Sequence, residues 1–328
     1  MGVGKMLYPL KLKPLFKERP WGGKRLHTFY KLPPNSGPIG EAWVVSDRLG
    51  SESLVENGAL TGTSLGQILK QHPTELMGTE KTPPRFPLLL KLLDTGSDIS
   101  IQVHPDDIYA AIHENDNGKT EVWYILYAGP QAQIVYGLKP GVTPSSFSEA
   151  LISGSVEKVL NQVKVKTGDF CFVPPGLVHA LGKDILAAEV QVNSDVTYRI
   201  HDYGRLDKNG CTRPLNIRHA LNVINYGLTP RKSDLSNPFN CAQFSVELIQ
   251  IKANPYFHRS AKEVEIILVI LGKGQVETDC ILSLKAGDAL VLPAGLNAAT
   301  ISGKLEFLRC RLGQTSHLQP SIKRSDLT

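Results

Sequence analysis

The chain has 328 residues, 41% of them hydrophobic and 20% charged, with a net charge of +5. That length suits about two domains with a substantial core, and the composition is that of a globular protein rather than a disordered one. Basic residues are scattered with no run of five, which speaks against nucleic acid or a membrane surface as partner, and no apolar stretch approaches the ~20 residues of a membrane span.

The opening segment, MGVGKMLYPLKLKP, has no apolar h-region, so no signal peptide is expected. Ala42–Ser46 is the first clear strand candidate. Ser64–His72 reads as a helix, with Ser64 as N-cap ahead of Leu65, Ile68 and Leu69, and forms a small helical insertion near 64–80. Leu88–Leu93 and Ser100–Val103 follow as strands. Pro105–Asn115 then reads as a helix whose first turn carries Asp106 and Asp107, where carboxylates favour the positive end of the dipole.

Further strands are expected at Val122–Tyr127, Gln133–Tyr136, Phe170–Val173, Ala187–Val192, Phe244–Ile251, Glu265–Ile270 and Ala289–Leu292, with helices at Pro144–Ile152 and Pro214–Asn225. Strands this closely spaced, without alternating helices, predict a sandwich or barrel rather than a doubly wound sheet. Residues 227–237 have linker composition, and 314–328 read as a polar tail. The five cysteines (171, 211, 241, 280 and 310) form no CxxC pair and suit reduced thiols of a cytoplasmic protein.

An internal repeat organises the β segments. Val165–Leu181 (VKTGDFCFVPPGLVHAL) and Leu284–Thr300 (LKAGDALVLPAGLNAAT) share Gly-Asp, four small or apolar residues and Pro-x-Gly. Each copy encodes a turn, an inward-facing strand and a second tight turn. The chain is therefore read as mainly β, with two related barrel domains: residues 1–226, including the helical insertion, and residues 237–313.

Gln102 and His104 lie two apart in a strand-like setting, so both side chains can reach one point. Glu121 opens a second strand run, and His179 closes a Pro-Gly turn. Two imidazoles, a carboxylate and an amide oxygen suit zinc or a similar divalent ion. The second barrel has Ala298 in place of His179, and its Glu265 has no Gln-x-His ahead of it. One metal per chain, held by the first barrel, is expected. His113 and His201 lack such support and read as structural, as do Trp21, Trp43 and Trp123.

Gly168–Lys183 fits the second cupin motif, with Lys183 where Asn is usual. Together with Q-V-H-P-D-D, G-K-T-E-V-W-Y, E-V-Q-V-N-S-D-V-T-Y-R-I-H-D-Y-G-R, the opening P-L-K-L-K-P-L-F-K-E-R-P-W-G-G, I-G-E-A-W-V-V-S-D and F-P-L-L-L-K-L-L-D, the match narrows. Along almost its whole length the chain resembles the type I mannose-6-phosphate isomerases in their short bacterial form. It departs from the family pattern at Val192 and Asn193 and in its compact Ser64–Met77 segment.

The resemblance implies two cupin-type (jelly-roll) domains and one zinc ion held by Gln102, His104, Glu121 and His179. It further implies Arg199 as the essential arginine, Lys119 as the active-site lysine and Asp195 as an acidic partner, with Lys119 and Arg199 also meeting the substrate. The implied reaction interconverts mannose 6-phosphate and fructose 6-phosphate through a cis-enediol, in a cytoplasmic monomer or weak homodimer whose partner is a small sugar phosphate. Two rival readings remain at this point: another metal-dependent cupin enzyme, such as a dioxygenase, and a non-catalytic sugar-binding cupin.

Overall fold

The computed structural model describes residues 7–33, 36–206, 210–259 and 262–313; the expected tail at 314–328 lies outside them. The protein is mainly β and divides into two compact units. One contains residues up to Leu15, Trp43–Lys91 and the chain from Leu235 onward, and the other contains Phe16–Ala42 and Leu92–Asp234.

The second of these units contains a five-stranded sheet in the order Leu160–Lys164, Gln133–Leu138, His179–Leu181, Ile101–Val103, Tyr198–His201. It also contains the neighbouring strands Phe170–Val173, Glu121–Ala128 and Ile185–Val192 of a six-stranded sheet. Trp123 and Ile125 from one sheet and Ile134 and Leu181 from the other enter one buried apolar cluster, which defines a sandwich core. Helices Asp107–Glu114, Pro144–Ile152 and Ile217–Val223 lie within the segments expected to be helical. Asp106 is the N-cap of the first, accepting from the Tyr109 N–H at 2.8 Å, and Asp107 accepts from the Gly118 N–H at 2.9 Å. Both aspartates are thus occupied in starting the helix and docking the loop that follows it.

The first unit is built on an eight-stranded antiparallel sheet. Its longest strand, Ala298–Leu312, pairs with Tyr256–Arg259, Phe244–Ile251 and Glu265–Glu277. Ile267, Val269, Leu290, Leu292, Leu305 and Phe307 form its separate core. The helical insertion comprises Leu65–Gln71, with a Ser64–Gln67 capping box, and Pro73–Met77. Its location differs from the sequence expectation. The carbonyls of Leu76 and Glu75 accept from the N–H groups of Ala294 (3.0 Å) and Gly295 (2.9 Å), so the insertion joins the C-terminal unit rather than residues 92–226.

The two repeat copies fold alike. Gly168 and Gly287 have φ of 90° and 93°, the left-handed region open to glycine. In each copy the following aspartate folds back, Asp169 onto the Lys166 N–H and Asp288 onto the Lys285 N–H, at 2.9 and 2.8 Å. The strands that follow place Val173 opposite Glu121 and Leu292 opposite Glu265. Glu265 therefore occupies in one barrel the register position that Glu121 occupies in the other.

Candidate metal centre

Three adjacent strands of the five-stranded sheet supply one side of the site. His179 and Arg199 each stand directly opposite Gln102, one on either flank of the strand Ile101–Val103. Directly opposed residues project to the same face, so these three side chains share it. His104 follows just past the strand end. From the other sheet, Glu121 alternates with Val122 and shares its face with the core residues Trp123 and Ile125.

The ligand atoms converge. Nε2 of His104 and Nε2 of His179 are 3.1 Å apart, and the two Glu121 oxygens approach them at 3.5 Å each. His104 and His179 are fully buried and Glu121 is 1% exposed. The His179 Nδ1–H donates to the Leu177 carbonyl at 2.8 Å, which leaves Nε2 as a bare lone pair aimed at the cluster. Oε1 of Glu121 is buried without a hydrogen-bond partner. Two lone-pair nitrogens and a carboxylate oxygen meeting in a buried space fit a borderline divalent cation such as zinc. Gln102, by its register, is placed to add an amide oxygen.

Electrostatics favour the ligand forms. Burial, and then the Lys119 ammonium, push the His104 imidazole down to about 3, and burial lowers that of His179. Burial alone would raise the Glu121 carboxyl, but Lys119 and the two imidazoles hold it well below the usual range. Both imidazoles are thus neutral and the carboxylate is charged at neutral pH.

Lys119 lies against this cluster. Its Nζ is 3.1 Å from His104 Nε2 and forms an ion pair with Glu121 Oε2, and the residue is 4% exposed. The loop carrying it is fixed by a Lys119 N–H bond to the Pro105 carbonyl at 3.0 Å. Gly118 is required there, because a Cβ would meet the backbone of Asp106 and Asp107 at 2.4–2.5 Å.

Arg199 is braced by residues the sequence reading had not singled out. Its Nε donates to Ser100 Oγ at 3.3 Å and its Nη1 to the Pro214 carbonyl at 3.0 Å, and its backbone N–H donates to Asn216 Oδ1 at 3.1 Å. Burial and the neighbouring Arg213 lower its pKa, with Asp202 opposing and Arg205 and Arg19 adding to the effect. Asp202 is already engaged by Arg213 through two hydrogen bonds, at 2.7 and 2.5 Å, and by Arg205 at 3.1 Å. Of the sequence-derived site residues, Arg199 and Asp195 make no hydrogen bond or ion pair with the His104–Glu121–His179 cluster, which Lys119 does reach. Asp195 is exposed on the turn after Ser194, whose hydroxyl donates to the Asn117 carbonyl at 2.7 Å.

Trp123 is fully buried, as expected of a core residue, with its ring edge-on to His179 at 5.4 Å. His113 and His201 pack on Tyr109 and Tyr203, apart from the ligand set. In the other barrel the sequence reading missed His258. Its Nδ1 is 2.9 Å from Glu265 Oε2, and Arg311 Nε donates to Glu265 Oε1 at 2.6 Å. A guanidinium thus neutralises the carboxylate at the position matching Glu121.

A β-sandwich with paired Pro-Gly turns and a buried His-Glu-His cluster between its sheets defines a cupin-type protein with the ligands for a metal. Comparison with known proteins narrows this class. The family "phosphomannose isomerase type I, catalytic domain" matches residues 9–124, and "mannose-6-phosphate isomerase, cupin domain" matches residues 236–312. The chain is 38% identical over 313 residues to mannose-6-phosphate isomerase ManA of Bacillus subtilis, covering 92% of this chain and 98% of that one. A crystal structure of the Bacillus subtilis mannose 6-phosphate isomerase superposes with a TM-score of 0.84 at 36% identity, over 92% of this chain and 99% of the other. A putative mannosephosphate isomerase from Archaeoglobus fulgidus, 21% identical, shares the fold with a TM-score of 0.79 over 95% and 100% of the two chains. The chain belongs to the type I mannose-6-phosphate isomerase family.

Proposed function

We propose that this protein interconverts mannose 6-phosphate and fructose 6-phosphate, using one zinc ion held by Gln102, His104, Glu121 and His179. The observation that carries the reading is Lys119 Nζ, set 3.1 Å from His104 Nε2 and ion-paired with Glu121 in a buried space. A metal kept only for structure needs no ammonium against its ligands, whereas proton transfer beside a polarised carbonyl does. Membership of the isomerase family supports this reading over oxygenase chemistry, since two histidines and a carboxylate alone would also suit a non-haem iron.

The reaction moves a proton between C1 and C2 of the opened sugar through a cis-enediol. When bound, zinc would supply Lewis-acid polarisation of the sugar carbonyl, a contribution of several kcal/mol in such chemistry. Lys119 Nζ and the Asp195 carboxylate are the groups available to carry the proton. Arg199, braced by Ser100 and Pro214 and standing opposite Gln102 as His179 does, would stabilise developing negative charge. Arg19, Arg205 and Arg213 add a cationic surround only partly offset by Asp202 and Glu41, which suits a substrate bearing a phosphate dianion.

Among the described residues no helix is long and apolar enough to cross a membrane, and all five cysteines are free thiols, which suits the cytoplasm. An assay coupled to fructose 6-phosphate formation tests the reading. Turnover of mannose 6-phosphate supports it, and no turnover by metal-loaded protein rejects it.

A further inference from the structure

Tyr198 and Arg199 are consecutive on one strand and so project to opposite faces. Arg199 shares a face with Gln102 and His179, whereas Tyr198, opposite Val103, faces away from the metal ligands. Tyr198 is buried. Its hydroxyl donates to Glu114 Oε1 at 3.0 Å, at the end of the helix Asp107–Glu114 that starts just after His104.

A second helix, Ile217–Val223, closes over this ring. The His219 imidazole stacks on Tyr198 with centroids 5.0 Å apart and planes 22° from parallel. Tyr109, from the first helix, lies edge-on to Tyr198 at 5.9 Å. The Tyr109 hydroxyl is 3.1 Å from His219 Nδ1, and Asn222 Nδ2 donates to it at 3.0 Å. Because the hydroxyl accepts from Asn222, its own proton is left for Nδ1. Three rings thus tie the two helices to each other and to the strand that carries Arg199.

The second helix bears on Arg199 because the residues at its start hold that arginine. Asn216, its N-cap residue, donates its N–H to the Arg199 carbonyl at 2.8 Å, and its Oδ1 accepts from the Arg199 N–H at 3.1 Å. Two residues earlier, the Pro214 carbonyl accepts from Arg199 Nη1 at 3.0 Å. Yet the helix has seven residues, no side-chain cap, and Ala220 as its buried residue. A helix this short does not stand by its own hydrogen bonds. What pins His219 therefore sets where Asn216 and Pro214 lie.

We propose that Tyr109, Tyr198 and His219 form a clasp that positions Arg199 for the isomerisation, with His219 at its centre. The inference deepens the isomerase reading and rests on it. The three are positioning residues: they act through the Pro214–Asn216 end of the helix, from the face of the strand away from the ligands.

The experiment is a double-mutant cycle on metal-loaded full-length protein, with His219→Ala, Arg199→Ala and the double variant, and with His219→Phe and Tyr109→Phe as conservative changes. kcat, KM, bound metal and Tm are measured for each. His219→Ala is expected to lower kcat about tenfold, with KM within about twofold and bound metal unchanged. His219→Phe and Tyr109→Phe keep a ring in place but break the bond between the two residues, and each should lower kcat about threefold. In the Arg199→Ala background, His219→Ala should cost less than about twofold more, because no guanidinium remains to be misplaced. A wild-type kcat in His219→Ala, or the same loss in both backgrounds, would overturn the proposal. If His219→Ala fails to fold, the conservative variants decide the matter: lowered kcat at wild-type metal content supports the clasp, and wild-type kcat in both overturns it. An inactive wild type would instead sink the isomerase reading itself.

Discussion

His104 and His179 point their Nε2 atoms at each other across 3.1 Å, from adjoining parts of one sheet. Because the His179 proton is committed to the Leu177 carbonyl through Nδ1, the facing nitrogen is a lone pair. With the Glu121 oxygens 3.5 Å from each, and the Lys119 ammonium 3.1 Å from His104 Nε2, these donors gather around positive charge. They make a set that fits a divalent cation.

His104→Ala and His179→Ala should each reduce bound zinc from about one equivalent to near zero, as measured by elemental analysis after gel filtration. Full metal occupancy in either variant would remove that residue from the ligand set.

Arg199→Ala should leave metal content unchanged while lowering kcat by about 10²–10³-fold, the usual loss when a fixed donor to developing charge is removed. Arg199→Lys should recover little, because an ammonium cannot reproduce the bracing by Ser100 and Pro214. Steady-state kinetics at saturating substrate reads both variants, and a wild-type kcat in Arg199→Ala would refute the role.

The metal-free protein should lose stability as pH falls below about 6.5. Burial and Lys119 push His104 down to about 3 from the ordinary 6.5, and His179 is lowered by burial, so both bind protons less readily folded than unfolded. The unfolded chain then takes up more protons throughout that window, and stability declines as pH drops through it. Glu121, held below its ordinary 4.5, adds to the loss at lower pH. Tm measured from pH 7 to pH 4 after chelation should decrease steadily, whereas a flat profile would contradict the buried neutral imidazoles.

In the other barrel, Arg311→Met should cost about 2 kcal/mol, because among the described residues Glu265 then keeps His258 and the more distant Arg309 as partners. Arg311 is about one-third exposed, which keeps the figure below that for a fully buried pair. Denaturant unfolding measures the loss, and an unchanged midpoint would show that the guanidinium contributes nothing there.

The residues that punctuate, and three whose donor atoms converge in the fold, His104, Glu121 and His179, were legible in the sequence. Ser64, Pro105 and Pro144 marked helix starts, and the Gly168 and Gly287 turns revealed the repeat. Gln102, His104, Glu121 and His179 stood out by spacing and family pattern. Partners that meet only through the fold were not legible. His258 reaches Glu265 from a separate strand, Ser100 and Pro214 brace Arg199 from distant segments, and Arg19 finds Glu41 across neighbouring strands. The strand Ala298–Leu312 was missed because Gly303 and its charged neighbours break the apolar alternation, yet three partner strands sustain it. The helix Arg25–Tyr30 has no side-chain cap and gave no start signal.

The most direct test of the central claim is the rate of fructose 6-phosphate formation from mannose 6-phosphate by purified protein, measured as isolated, after exhaustive chelation and after zinc is restored. Robust turnover, its loss on chelation and its return with zinc are the predicted results. Full activity in the chelated protein, or none in the zinc-loaded protein, would contradict the account.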